Sequence, residues 1–73
     1  MRVYLRNSVH FIADTPDDIV YHMRFALRHT DDATFMAHTA AGYAKAYGFT
    51  IETTSPQAFL RSMGEHGIVA IVP

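Results

Sequence analysis

Cysteine is absent from this chain. Disulfides, and zinc or iron–sulfur sites built on thiolates, are therefore excluded within it. Charge is also scarce: 18% of the residues are charged and the formal net charge is −1 at pH 7. No global basic field is available to draw in nucleic acid. No apolar run approaches the roughly 20 residues that a membrane-spanning helix needs. The first residues alternate in polarity and do not form the apolar core of a signal peptide. A cytoplasmic protein with no membrane partner is expected. Serine is confined to Ser8, Ser55 and Ser62, which read as a turn residue, a helix cap and a helix-surface residue. None sits in a nucleophile elbow, and no glycine-rich loop could cradle a phosphate. No enzyme activity and no cofactor are expected.

Hydrophobic residues make up 49% of the chain, so it is expected to fold. Its 73 residues form one domain, residues 1–73. A domain of this size buries only about 60% of its unfolded surface, so self-association is a natural supplement to its stability.

The organising stretch runs from Asp14 to Gly48 and holds two helix patterns joined by a polar break. Thr15 followed by Pro16 is a helix start: a hydroxyl to cap the first turn, then a residue with no N–H to lose. Asp17 and Asp18 suit the positive end of the helix dipole. Ile19, Val20, Met23, Ala26 and Leu27 fall on one stripe at 100° per residue, a core face. Tyr21, Arg24, Phe25 and Arg28 lie opposite, flanked by His22 and His29. The second helix begins at Thr30 or Asp31, with Ala33, Met36, Ala40, Tyr43, Ala44 and Tyr47 as its apolar stripe, and Gly48 as its stop. Gly42, inside it, marks either a close contact or a tolerated cost.

Residues 2–6 alternate as a half-buried strand, with Arg2, Tyr4 and Arg6 on the polar face. Asn7-Ser8 is the expected turn, with Asn7 suited to positive φ, and 9–13 forms the second strand of a hairpin. Residues 49–53 read as a third strand. Ser55-Pro56 opens a third helix carrying Phe59, Leu60 and Met63, and Gly67 stops it. The apolar run 68–72 reads as a strand buried on both faces. The expected fold is α+β, in the order β-β-α-α-β-α-β, with a mixed four-stranded sheet and helices packed on it. A shift of forty residues superposes Thr15-Pro16 on Ser55-Pro56, Ile19-Val20 on Phe59-Leu60, and Met23 on Met63. Shared rules for strand-to-helix connections account for this better than duplication does.

Five histidines raise the question of a metal. His22 and His29 are seven apart, which sets them about 10 Å apart along a helix axis, too far for one ion. No metal site is expected. Asp17 and Asp18 are accounted for as first-turn acids. Glu65 and His66 are adjacent on a helix and do not point together. The more informative surface is the outer side of the first helix, where Tyr21 and Phe25 form an aromatic row beside Arg24 and Arg28. Aromatic residues and arginine are enriched at interface hot spots. A helix that touches both the sheet and the second helix would instead make Tyr21 and Phe25 an ordinary second core face, the commoner outcome for such a pair. The expected function is that of a non-catalytic interaction module, binding a protein partner or itself as a homodimer through this face. The alternative is a small nucleic-acid-binding protein using Arg2, Tyr4 and Arg6, or Arg24 and Arg28, to stack on bases and pair with phosphates.

Overall fold

The computed structural model describes residues 1–29 and 31–73. Its elements are β1 (Arg2–Leu5), β2 (His10–Ile12), α1 (Pro16–Ala26), α2 (Asp32–Tyr47), α3 (Pro56–Glu65) and β3 (Val69–Val72). The start of each helix follows from side-chain capping. The Thr15 hydroxyl accepts the Asp18 N–H at 3.2 Å, and the Ser55 hydroxyl accepts the Ala58 N–H at 3.1 Å. Each cap is followed by a proline in the first turn. Asp31 caps α2, with Oδ1 accepting the Thr34 N–H at 2.7 Å. Thr30, the other cap expected for α2, lies outside the described residues.

The helix ends share a second device. Each is followed by a residue in the left-handed region: Arg28 after α1, Gly48 after α2 and Gly67 after α3. After α1, the His29 N–H reaches the Arg24 carbonyl and the Arg28 N–H reaches the Phe25 carbonyl. After α3, the Ile68 N–H reaches the Met63 carbonyl and the Gly67 N–H reaches the Gly64 carbonyl. Both are Schellman terminations. Arg28, at φ 62°, is the exception among glycines. A residue with a Cβ pays about 1–2 kcal/mol in that conformation.

The sheet has three antiparallel strands in the order β2-β1-β3. Val3 pairs with Phe11 on one side and Ile71 on the other, and Tyr4 pairs with His10 and Ala70. Residues directly opposite share a face, so Val3, Phe11 and Ile71 point one way and Arg2, Tyr4, His10, Ile12, Ala70 and Val72 point the other. Helices α1 and α3 pack together and against the inner face, and α2 packs on those two helices. Between the layers, Val3, Ile19, Val20 and Phe59 are wholly buried, with Phe35 and Leu60 nearly so. Phe35 meets Phe59 edge-on at 5.9 Å.

Four expectations are corrected. First, the sheet is neither mixed nor four-stranded among the described residues. Residues 49–53 take no regular secondary structure and pair with no strand among the described residues. Their backbone is held instead by α3: the Ser62 hydroxyl accepts the Glu52 N–H at 3.2 Å and donates to the Thr50 carbonyl at 3.3 Å. His66 Nε2 also reaches that carbonyl, at 3.2 Å. Ser62 is therefore buried, not on the helix surface. Second, β3 is an edge strand: Val69 is buried, but Ala70, Ile71 and Val72 are exposed. Its partner is β1, antiparallel, so no strand–helix–strand crossover forms.

Third, the apolar faces of α1 and α2 differ from the stripes read above. Ile19, Val20 and Met23 are buried, but Ala26 and Leu27 are exposed because the helix ends there. In α2 the inward residues are Phe35 and Met36, with Thr39, Ala40 and Tyr43 half-buried, whereas Ala33, Ala44 and Tyr47 are exposed. Fourth, positive φ in the hairpin turn falls on Ser8, at 69°, not on Asn7. The Asn7 side chain instead accepts the Val9 N–H at 3.2 Å. Gly42 makes no close contact, since a Cβ there would meet nothing within 4 Å.

The forty-residue correspondence has a structural counterpart. Ile19, Val20 and Met23 of α1, and Phe59, Leu60 and Met63 of α3, are all core residues. What precedes each helix differs: β2 before α1, a segment without regular secondary structure before α3. The likeness lies in the helix starts and their inner faces, not in a repeated strand–helix unit.

Candidate interaction surface

α1 buries one stripe and leaves the other in solvent. Tyr21 is 44% exposed and Phe25 70%. They are four residues apart, one turn of helix, so their rings lie one above the other. The ring centroids are 6.4 Å apart and the planes 20° from parallel. Both rings are exposed and neither residue belongs to the buried core, so the pair is surface and not a second core face.

The two arginines of this face differ in circumstance. Arg24 is half-buried at the side of the stripe. Its Nε donates to Asp32 Oδ1 at 2.8 Å and its Nη1 to the His29 carbonyl at 3.3 Å. Its guanidinium also lies 4.7 Å from the centre of the Tyr21 ring. Arg24 thus ties the end of α1 to the start of α2 and holds Tyr21 in place. Arg28 is exposed, and among the described residues it makes no ion pair. Asp17 and Asp18 lie at the opposite end of the same helix, both exposed. The outer stripe therefore runs acid, aromatic, aromatic along α1, with Arg28 in the left-handed turn just past its C-terminal end.

The strand face divides. Arg2 and Tyr4 lie on the outer face of the sheet, which no helix covers. Tyr4 stacks on His10 with centroids 5.3 Å apart. Arg2 sits between Ile12 and Val72, which are 57% and 46% exposed. Arg6 does not join them. It lies past the end of β1, and its Nε donates to the Gly67 carbonyl at 3.2 Å.

The histidines are dispersed. His22 is exposed, its ring edge-on to Tyr21 at 5.7 Å. His29 contacts Phe35 and His38, each at 5.4 Å between ring centres. Among the described residues, no group of three or more His, Cys, Asp or Glu side chains converges on one point.

One grouping was not legible in the sequence. Tyr43, Tyr47, Phe49 and His66 form a continuous ladder of near-parallel rings, with successive centroids 5.9, 5.3 and 4.4 Å apart. The spacing of Tyr43 and Tyr47 matches that of Tyr21 and Phe25, and was the available signal. Assigning both tyrosines to the core stripe of α2 concealed it. No family model, curated protein or solved structure matches the chain.

Proposed function

We propose that this protein is a non-catalytic interaction module that associates with a second copy of itself through the outer face of α1. The observation that carries this reading is the order of groups on that face. Asp17 and Asp18 stand in the first turn of the helix, Tyr21 and Phe25 in its middle, and Arg28 in the left-handed turn just past its end. An isologous contact places the same patch of both subunits together across a two-fold axis. Two such helices packed antiparallel set the acids of each opposite the arginine of the other, with the four rings between them. The stripe is thus complementary to itself.

The backbone of Arg28 supports the same reading. A glycine would fill the left-handed position at no steric cost, as Gly48 and Gly67 do after the other helices. Strain kept at a surface position is a reason to look for a role there. Here the strained residue supplies the base of the self-complementary stripe.

The size of the face sets the expected strength. A standard interface removes about 800 Å² from each partner, which would be about one sixth of the 4806 Å² surface of this chain. The outer stripe of an 11-residue helix offers less. Association is therefore expected in the micromolar range and reversible. Light scattering across micromolar to millimolar concentrations should show a monomer–dimer equilibrium. Tyr21→Ala/Phe25→Ala should give a folded monomer by circular dichroism. Arg28→Asp should also be monomeric, and Asp18→Arg/Arg28→Asp should recover dimerisation. A wild type monomeric throughout, or a double alanine variant that still dimerises, would overturn the reading.

The uncovered sheet face supports a second reading, a single-stranded nucleic-acid surface. The Tyr4–His10 stack beside Arg2 provides a platform for bases and a cation for phosphate. Binding of an oligonucleotide that weakens steeply with salt and is lost in Arg2→Ala/Tyr4→Ala would favour it.

A further inference from the structure

A groove of about 420 Å³ opens between the β1–β2 turn, the end of α1, α2 and the segment that follows it. That volume lies within the roughly 300–1,000 Å³ range of small-molecule sites. Its floor is apolar, formed by Met23, Phe35, Met63 and Ile68. Its wall is the ring ladder of Tyr43, Tyr47, Phe49 and His66, whose successive planes lie within 25° of parallel. Because the rings stack on one another, Tyr47 and Phe49 are open at their edges, and the positive edge of an aromatic ring favours the face of a flat aromatic partner.

The charge of the groove is one-sided. Among the described residues, Arg6 is the only formally charged one that lines it, and no Asp or Glu does. The Arg6 Nε is engaged by the Gly67 carbonyl, which fixes the guanidinium at the rim. Among the described residues, no carboxylate pairs with it. A guanidinium presents its donors in a planar fork that suits an anion with two oxygens. An oriented, unpaired arginine above an apolar floor and an aromatic wall is a recognition pattern for an amphipathic anion.

The geometry points to a binding site for a small planar aromatic anion, its ring against Tyr47 and Phe49 and its carboxylate or equivalent group at Arg6. The site is separate from the outer face of α1 and does not depend on self-association. The ligand class is set by three features that act together: size by the cavity, flatness by the ring ladder, and negative charge by Arg6. A neutral aromatic would satisfy the first two only.

The test is a titration of the isotope-labelled protein followed by amide resonances, with 2-naphthoate as the probe and 2-naphthamide as its neutral isostere. Naphthoate should produce saturable shifts at Tyr43, Tyr47, Phe49 and His66. It should bind about tenfold more tightly than the amide, the usual scale of one charge-assisted pair. Arg6→Gln should remove that preference and leave naphthamide binding unchanged; Arg6→Lys should retain part of it. Tyr47→Ala, at a residue 67% exposed, should weaken both ligands without unfolding the chain. Phe25→Ala, on the outer face of α1, should change neither, which separates this result from the oligomeric state. Equal affinity for the two probes, shifts centred elsewhere, or no saturation at millimolar probe would overturn the assignment.

Discussion

Ser62→Ala removes one oxygen and almost no volume, yet it should loosen an entire segment. The hydroxyl is 7% exposed at the residue level and serves two backbone groups, the Glu52 N–H and the Thr50 carbonyl. Both bonds are long, at 3.2 and 3.3 Å. A net value of about 0.5–1.5 kcal/mol each is therefore taken at its lower half. The Thr50 carbonyl keeps His66 Nε2 as a partner. Thr50 and Glu52 are exposed, so water replaces part of what is lost. The expected loss is about 1–2 kcal/mol, against a total of about 4–11 kcal/mol for a domain of this length. Urea unfolding followed by circular dichroism should show a lower midpoint with an unchanged slope. Thermal unfolding should fall by about 5–15 °C. Hydrogen exchange supplies the specific readout: the amides of β1 should lose only the global share, about 5–30-fold, while the Glu52 amide, left without its partner, should lose its protection altogether. An unchanged midpoint with Glu52 still protected would mean that burial of Ile51 alone holds the segment, and that the two bonds to Ser62 contribute nothing.

Two further substitutions test the helix boundaries and interiors. Gly42→Ala should stabilise the chain by about 1 kcal/mol, or about 4–8 °C, because the site is helical, exposed and open around the new Cβ; a loss of stability would show that the space around this turn is occupied. Arg28→Gly should raise stability by about 1 kcal/mol by relieving the left-handed arginine, and should weaken self-association at the same time. A variant neither more stable nor less associated would remove the strained arginine from the functional account.

The parts of this fold encoded over a few residues are legible in the sequence; the parts that depend on distant partners are not. Thr15-Pro16, Asp31 and Ser55-Pro56 start helices because each cap bonds a backbone group three residues on. Gly48 and Gly67 stop them for equally local reasons. Strand pairing is different. Residues 49–53 carry the alternation of a strand, but whether an extended segment joins a sheet depends on which groups are offered to its backbone. Here α3 offers a serine and a histidine one turn apart. The inner face of α2 was misplaced for a related reason. Alanines surround that helix, so its period is weak, and the position of Phe35 against Phe59 decides the orientation. Leu27 fits the core periodicity of α1 but lies past the residue where the helix ends, and is 62% exposed. The spacing of Tyr21 and Phe25 puts them on one stripe of α1, but spacing alone does not say whether that stripe is surface or a second core face; their exposure does. Spacing does not place Arg6 either, because the chain turns at that point and carries the side chain away from Arg2 and Tyr4.

The pairing of β1 with β3 has a consequence for how the chain acquires its shape. β1 lies at the centre of the sheet, yet one of its two neighbours comes from the opposite end of the described chain, with Arg2 set against Val72. The hairpin with β2 forms early and locally, whereas the second edge of β1 stays open while all three helices are made. During synthesis, which proceeds from the N-terminus, that edge can recruit the wrong strand. Closing so long a loop also slows the final step. The helices can be capped as they emerge, but the sheet waits for β3, which is made after all of them.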